Sequence, residues 1–471
     1  MKRRSVYTTL GLSILTILIL LSFGACAGGP KEGAAGSAEA PPEEKPELTV
    51  QPYESISAAL AAGNPEEAVA RFEAAYSKDP EGLETMILYS SLLITAGRKD
   101  EARELVEELL AEHPDHPEML YTLALVEGME GNTERQKELY RRVIELSPQH
   151  AAARAGLGEL LLEEGKTKEA ETHFAEAVAQ DEENIVARVG YGHALLRNKK
   201  YEQSIEQLDR AIELYPDFPF AYVDRSKAYV GLNQLNEALD DLSKAVELEP
   251  DYFWNYIDRG KVRLYVGNTE EALRDFERAV GLKPEYFLGY VYRGGAYDET
   301  GRLEKALQDY RVVYEKKSDY YPIYQPAAVI AYLEEDYRFA GTMFRKMYRR
   351  FPDEYAAGLF AAICDLFAGR EKAARSFLEK EMGSWPRDGH FYHLARLFLE
   401  DGYDSFVVNK INKETNPPRK ARALFYLATY YKYRGKRSLA ATYYMEVSDA
   451  AIYGLFENRI VDHELEEMID E

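Results

Sequence analysis

Apolar residues in this chain recur on a helical beat and then on a longer one. In "GNTEEALRDFERAVGLKPEY" (267–286), Ala272, Leu273, Phe276, Ala279 and Val280 fall at i, i+1, i+4, i+7 and i+8. That spacing marks one face of an α-helix. Gly267 predicts a tight turn before the helix, because glycine tolerates left-handed backbone. Pro284 predicts its end, because proline cannot continue a helix. The phrase "EALDDLSKAVELEPDY" at 237 returns as "EALRDFERAVGLKPEY" at 271, about 34 residues on.

The long beat holds over most of the chain. Pro80, Pro114, Pro148, Pro216, Pro250, Pro284, Pro352 and Pro386 share one lattice, and Glu182 and Ser318 stand on it without an insertion. Glycine marks the turn between helices at Gly63, Gly97, Gly131, Gly165, Gly267, Gly301 and Gly369. Small residues follow at Ala68, Ala102, Ala170, Ala272, Ala306 and Ala374. Asn64 and Pro65 stand where a helix cap and a first helical turn belong. Each period therefore predicts a helical hairpin. A lone hairpin leaves half its apolar face wet, and stacking neighbours cover it, so the array must propagate.

This pattern resembles the tetratricopeptide repeat (TPR) family. The repeat at 219–252 carries it best, with Tyr222, Ala228, Tyr229, Ala238, Leu242, Ala245 and Pro250 in the family's signature places. The resemblance implies an all-α fold: an α-solenoid of about twelve hairpins, a right-handed superhelix with the first helix of each pair lining a concave groove. Ten repeats are expected over 49–388 and two divergent ones over 389–454. In the divergent part "DSFVVNKINKETNPP" predicts a short second helix and a kink at Pro417 and Pro418. Residues 455–471 predict a helix with charged ends, read as the polar cap such arrays need.

The N-terminus is of another kind. Lys2, Arg3 and Arg4 precede an apolar run from Val6 to Phe23, and Gly24 and Ala25 lead to Cys26. This is a secretory signal over 1–25. "SFGAC" resembles the lipobox of bacterial lipoproteins, with Phe23 in place of the usual leucine, which implies lipidation of Cys26. Retention as a membrane helix, about 27 Å long, and plain secretion are the alternatives. Residues 26–48 are Gly, Ala, Pro and Glu with little to bury, so they read as a disordered tether.

Charge narrows the partners. The net charge is −23, which repels phosphate backbones and excludes nucleic acid as a natural partner. It favours basic ligands or partners. The two cysteines, Cys26 and Cys364, rule out a disulfide framework. Cys364, in "AAICDLF", reads as a small buried side chain.

Catalytic and metal constellations are not legible. "EEGKT" (163–167) has Leu160 where a phosphate loop needs glycine, and it falls at an inter-helix turn. His390 and His393 share a helix face but have no third ligand nearby in sequence. "HPDH" (113–116) is an inter-repeat turn. No cofactor, metal or enzymatic activity is expected.

Tyrosine stands out instead. Of 36, 27 lie in 219–471, so the second half differs in kind from the first. Tyr222, Tyr256, Tyr290 and Tyr324 form one ladder, and Phe218, Tyr252, Tyr286 and Tyr320 a second. The first ladder sits at a packing position, where an aromatic fills the hairpin core. Arg225, Arg259 and Arg293 accompany it, to pair with Asp224 and Asp258 or to stack on the rings. The groove positions are different ones: Phe220, Val223, Lys227 and Val230; Trp254, Ile257, Lys261 and Leu264; Leu288 and Val291, followed by Gly295 and Asp298. An apolar strip with spaced ammoniums suits a peptide carrying acidic groups. Neighbouring repeats or the C-terminal segment are the other candidates to cover it.

The sequence thus leads to a lipid-anchored, non-catalytic scaffold of a bacterial cell envelope that holds proteins or peptides in its groove. The alternative is an accessory of a solute-transport system, binding a ligand or a substrate-binding protein.

Overall fold

The computed structural model describes residues 50–76, 82–450 and 455–470. The expected signal, Cys26 and tether lie outside the described residues. Among the described residues all regular structure is helical: 25 α-helices and two short 3-10 turns. None of these helices is long and apolar enough to cross a membrane. The chain divides at Leu248 into two compact units.

The first unit holds six helical hairpins, from Val50–Ala61 paired with Pro65–Tyr76 to Pro219–Gly231 paired with Leu235–Leu248. The second holds six more, from Phe253–Tyr265 with Thr269–Leu282 to Pro417–Tyr433 with Arg437–Asp449, and then one further helix, Phe456–Asp470. Twelve hairpins are what the periodicity predicts.

The 34-residue beat is a backbone beat. Gly63, Gly97, Gly131, Gly165, Gly267, Gly301 and Gly369 all have φ between 69° and 84°. Lys199, Asn233 and Glu335 stand at the same lattice places and adopt the same left-handed turn, with φ of 57° to 60°. The turn is thus required even where glycine is missing, although a side chain there costs about 1 kcal/mol.

Burial separates the two helices of each hairpin. Pro117–Glu130 buries every residue from Met119 to Glu127, whereas its partner Thr133–Leu146 buries one face around Leu139, Tyr140 and Val143. Pro117–Glu130 touches its own partner and both helices of the hairpin before it, so it is covered from several directions. The helices approach closely where glycine meets an aromatic. Phe174 is fully buried, and a Cβ on Gly158 or Gly190 would collide with its ring.

Two expectations are corrected. Pro417 and Pro418 do not kink a helix. They begin one, the 17-residue helix Pro417–Tyr433, with the Asn416 side chain accepting from the Arg419 N–H at 3.1 Å. Proline is at home in the first turn, whose N–H groups have no partner inside the helix. The helix before it, Asp404–Asn412, is short, as expected.

The second correction concerns residues 455–471. Phe456–Asp470 is helical and covers the last hairpin as a cap would, but it does more than present a polar face. Phe456, Glu457, Ile460, Val461 and Glu464 are all buried, and the helix packs most extensively on Arg437–Asp449 and also on Tyr324–Leu333 and Pro417–Tyr433 of the second unit. Its apolar side chains join that unit's core. A helix with buried residues at i, i+4, i+5 and i+8 has a face to hide, and only the unit's interior can hide it.

Candidate functional site

The tyrosine ladder is a set of tethers. The hydroxyls of Tyr222, Tyr256, Tyr290 and Tyr324 donate to the carbonyls of Pro216, Pro250, Pro284 and Ser318, at 2.9 to 3.1 Å. Each ring thus ties its helix to the turn six residues before it. The bond persists at Ser318, where the lattice proline is missing, because it uses the backbone and not the side chain.

The arginines do stack on the ladder. Arg225, Arg259 and Arg293 lie 5.4 to 5.7 Å from the ring centres of Tyr222, Tyr256 and Tyr290. Their acidic partners are not Asp224 and Asp258. Each guanidinium forks instead onto the aspartate sixteen residues on, Asp241, Asp275 and Asp309, through two bonds of 2.6 to 3.0 Å. That residue lies on the second helix of the same hairpin, so the fork clamps the pair together. Burial pushes the Asp241 and Asp309 carboxyls up, and the guanidinium opposes it.

The strip proposed from sequence is partly core. In the first unit Phe220 and Val223 are buried, Val230 is half-buried, and Lys227 donates to Asp224 at 2.8 Å. Asp224 is fully buried and also meets His193 Nδ1 at 2.9 Å. The Lys227 ammonium therefore answers a charge beneath the strip. In the second unit Ile257 is buried, while Trp254, Leu264, Leu288 and Val291 are half-buried. Lys261 lies 3.5 Å from Asp258 and over the Tyr292 ring. Trp254 meets Phe253 and Tyr286 edge or tilt-wise at 5.1 and 5.4 Å. The strip's surface is thus carried by Val230 with the edge of Lys227 in one unit, and by Trp254, Lys261, Leu264, Leu288 and Val291 in the other.

Farther along the second unit the same face is already occupied. One repeat on from Val291, Gly295 and Asp298 stand Gln325, Val329 and Tyr332. The C-terminal helix lies over them. Gln325, Pro326 and Val329 line a pocket of about 230 Å³ with Leu455, Phe456 and Arg459. Phe456 packs on Phe344 and Phe360, at 5.1 and 5.7 Å between ring centres. Polar contacts fix the register. Arg422 donates to Glu457 at 2.5 Å and the Tyr426 hydroxyl donates to the same carboxylate at 3.2 Å. Lys432 and the Tyr332 hydroxyl donate to Glu464 at 2.7 and 2.9 Å. Arg459 reaches Asp298 at 2.5 Å. Burial holds the Tyr332 and Tyr426 phenols well above their usual range, so both stay protonated donors.

Cover by the C-terminal segment was one of the alternatives read from the sequence, but the individual contacts were not. The seven-residue spacing of Glu457 and Glu464, flanking Ile460 and Val461, puts both acids beside the apolar face and was the available signal.

The remaining candidates for chemistry do not converge. His390 bonds Glu414 at 2.6 Å and His393 bonds Tyr403 at 2.9 Å, so the two rings serve different partners. Among the described residues no group of three or more ligating side chains could hold a metal ion. Gly165 of "EEGKT" is the left-handed residue of a helix-to-helix turn. Cys364 is fully buried, and burial pushes its thiol far up, which makes it unreactive.

Tetratricopeptide-repeat models match residues 59–126 and 161–228, 121–185 and 257–322, and 221–252. Together these spans cover more than half of the chain.

The chain belongs to the tetratricopeptide repeat family.

Repeats of this family build surfaces that bind other proteins and peptides, and this TPR chain is an interaction scaffold of that kind. Nothing among its described residues points to an enzyme. No curated protein matches it in sequence. Similar solved structures include a TPR protein from Parabacteroides merdae, with 20% identity and a TM-score of 0.37, matching 52% of this chain and 97% of that one. PilF of Pseudomonas aeruginosa matches at 18% identity and a TM-score of 0.39, over 43% of this chain and 92% of its own. YrrB, described as a TPR protein with an unusual peptide-binding site, matches at 22% and 0.34, over 39% of this chain and 95% of its own.

Proposed function

We propose that this TPR protein is a scaffold of the bacterial cell envelope, held at a membrane by lipid on Cys26, and that its first-helix faces hold partner proteins or peptides. The observation that carries the reading is the repeated first-helix strip. In the second unit it presents half-buried apolar groups at Trp254, Leu264, Leu288 and Val291 with the ammonium of Lys261, and in the first unit Val230 with the ammonium of Lys227. Half-buried aromatic and aliphatic groups with a charged rim are what a docking peptide needs. The anchor rests on the basic start, apolar run and "SFGAC" of the first 26 residues.

Two measurements on the full chain test the parts separately. Metabolic palmitate labelling is expected to disappear with Cys26→Ser; label that persists overturns the anchor. A photo-crosslinking residue at Leu288 is expected to capture a protein in native membranes, and Lys261→Glu to lower that capture severalfold. Capture unchanged by Lys261→Glu counts against the strip.

A further inference from the structure

The occupied part of the second unit says more about what its first-helix face can hold. A buried helix surface usually mixes apolar anchors with few charges. Here the seat carries two cations, Arg422 and Lys432, on one helix, and the chain's own last helix brings one carboxylate to each. The carboxylates are nearly fully buried, and a tyrosine hydroxyl donates to Oε1 of each, while Oε2 of both is buried without a hydrogen bond among the described residues. Between them Phe456, Ile460 and Val461 fill the apolar part. The occupant lies on strip positions, Gln325, Val329 and Tyr332, that continue the partner-binding register. It reaches back to the strip residue Asp298 through Arg459. Two of its bonds span 132 and 161 residues of chain, unlike the nearest-neighbour contacts that build the hairpins.

We propose that the first-helix face of residues 324–433 is a binding site for an acidic amphipathic helix, filled in cis by residues 456–470. This rests on the reading of the first-helix strip as the partner face. The ligand class follows from the seat: an aromatic or aliphatic stripe at i, i+4 and i+5, with carboxylates at i+1 and i+8. Such a helix lays its apolar face in the groove and sets its register by the two charge pairs. An outside helix of this class binds only by displacing the resident one. The resident is held at the high effective concentration of a tethered ligand.

The test uses two full-length chains, wild type and Glu457→Gln/Glu464→Gln, and a fluorescent synthetic peptide of residues 455–471. The double variant is expected to stay helical by circular dichroism and to bind the peptide at least tenfold more tightly than the wild-type chain does. It is also expected to bind a peptide with glutamine at both acid positions at least tenfold more weakly than the native one. Ile460→Asp in the full chain, read the same way, serves if the double variant misfolds. Equal binding by wild type and variant would place the peptide elsewhere and overturn the proposal. Equal binding of the two peptides would show that the acids are not read. No binding to a folded variant would make the last helix purely structural. Each of these leaves the crosslinking result at Leu288 standing, and an empty crosslink at Leu288 leaves the peptide result standing.

Discussion

The two units use the same hairpin and differ in what covers its first helices. In the first unit every described helix belongs to a hairpin, and the core is built mostly from alanine and leucine, with fewer aromatics such as Phe72, Tyr140 and Phe174. In the second unit the core is rich in aromatic rings, and one helix that belongs to no hairpin is packed into it. The first unit is a repeat array whose hairpins are stabilised by their neighbours. The second has become a closed body, with side chains 132 residues apart sharing a hydrogen bond. The comparison teaches that repeats and tertiary closure are separate devices. A regular hairpin needs only the next hairpin, whereas a core of large rings leaves room and surface for an added helix.

The sharpest way to break the comparison is at equivalent aromatics. Phe174 and Phe344 occupy the same lattice position and both are fully buried. Truncation of either to alanine is expected to cost about 3–5 kcal/mol in urea unfolding. The consequences should differ. Hydrogen exchange in Phe174→Ala is expected to rise in hairpins 151–214 alone. In Phe344→Ala it is expected to rise in 456–470 as well, because Phe344 touches Phe456. Unchanged protection of 456–470 would mean that the last helix is not held by that core.

A smaller effect tests whether the charge clamps or the rings hold the second unit's first hairpins. Asp275 accepts from both Arg259 and Arg263. Asp275→Ala leaves two guanidiniums without their carboxylate and is expected to cost about 3 kcal/mol. A loss under about 0.5 kcal/mol would show the clamp to be a surface pair in effect. The smallest expected change is a gain. Glu335 takes the left-handed turn that glycine takes at Gly301 and Gly369. Glu335→Gly is expected to raise stability by about 0.5–1 kcal/mol, read as a higher urea midpoint. A drop would mean that the Glu335 side chain contributes more than its backbone costs.

The twelve hairpins, the left-handed turns and the packing role of the tyrosine ladder were legible because each depends on residues within one or two repeats. The ladder's hydroxyl bonds reach six residues back, and the Arg–Asp forks reach sixteen on. The forks were missed in favour of Asp224 and Asp258 because neighbours in sequence were weighed before neighbours across a hairpin. Phe220, Val223 and Ile257 were read as groove surface and are buried, since the side chain at a strip position is also at the edge of a closely packed hairpin stack. The prolines at 417 and 418 were read as a break because the start of the next helix could not be seen.

Sequence by itself determined the repeat, its period, its helices and the turns between them, because local helix periodicity and turn chemistry are written into every 34 residues. Only the tertiary structure decided where the last helix goes and which part of the first-helix face it covers. That placement depends on the shape and charge of a surface assembled from Tyr332, Phe360, Arg422 and Lys432. These residues share no local pattern, and they come together only when the hairpins are stacked.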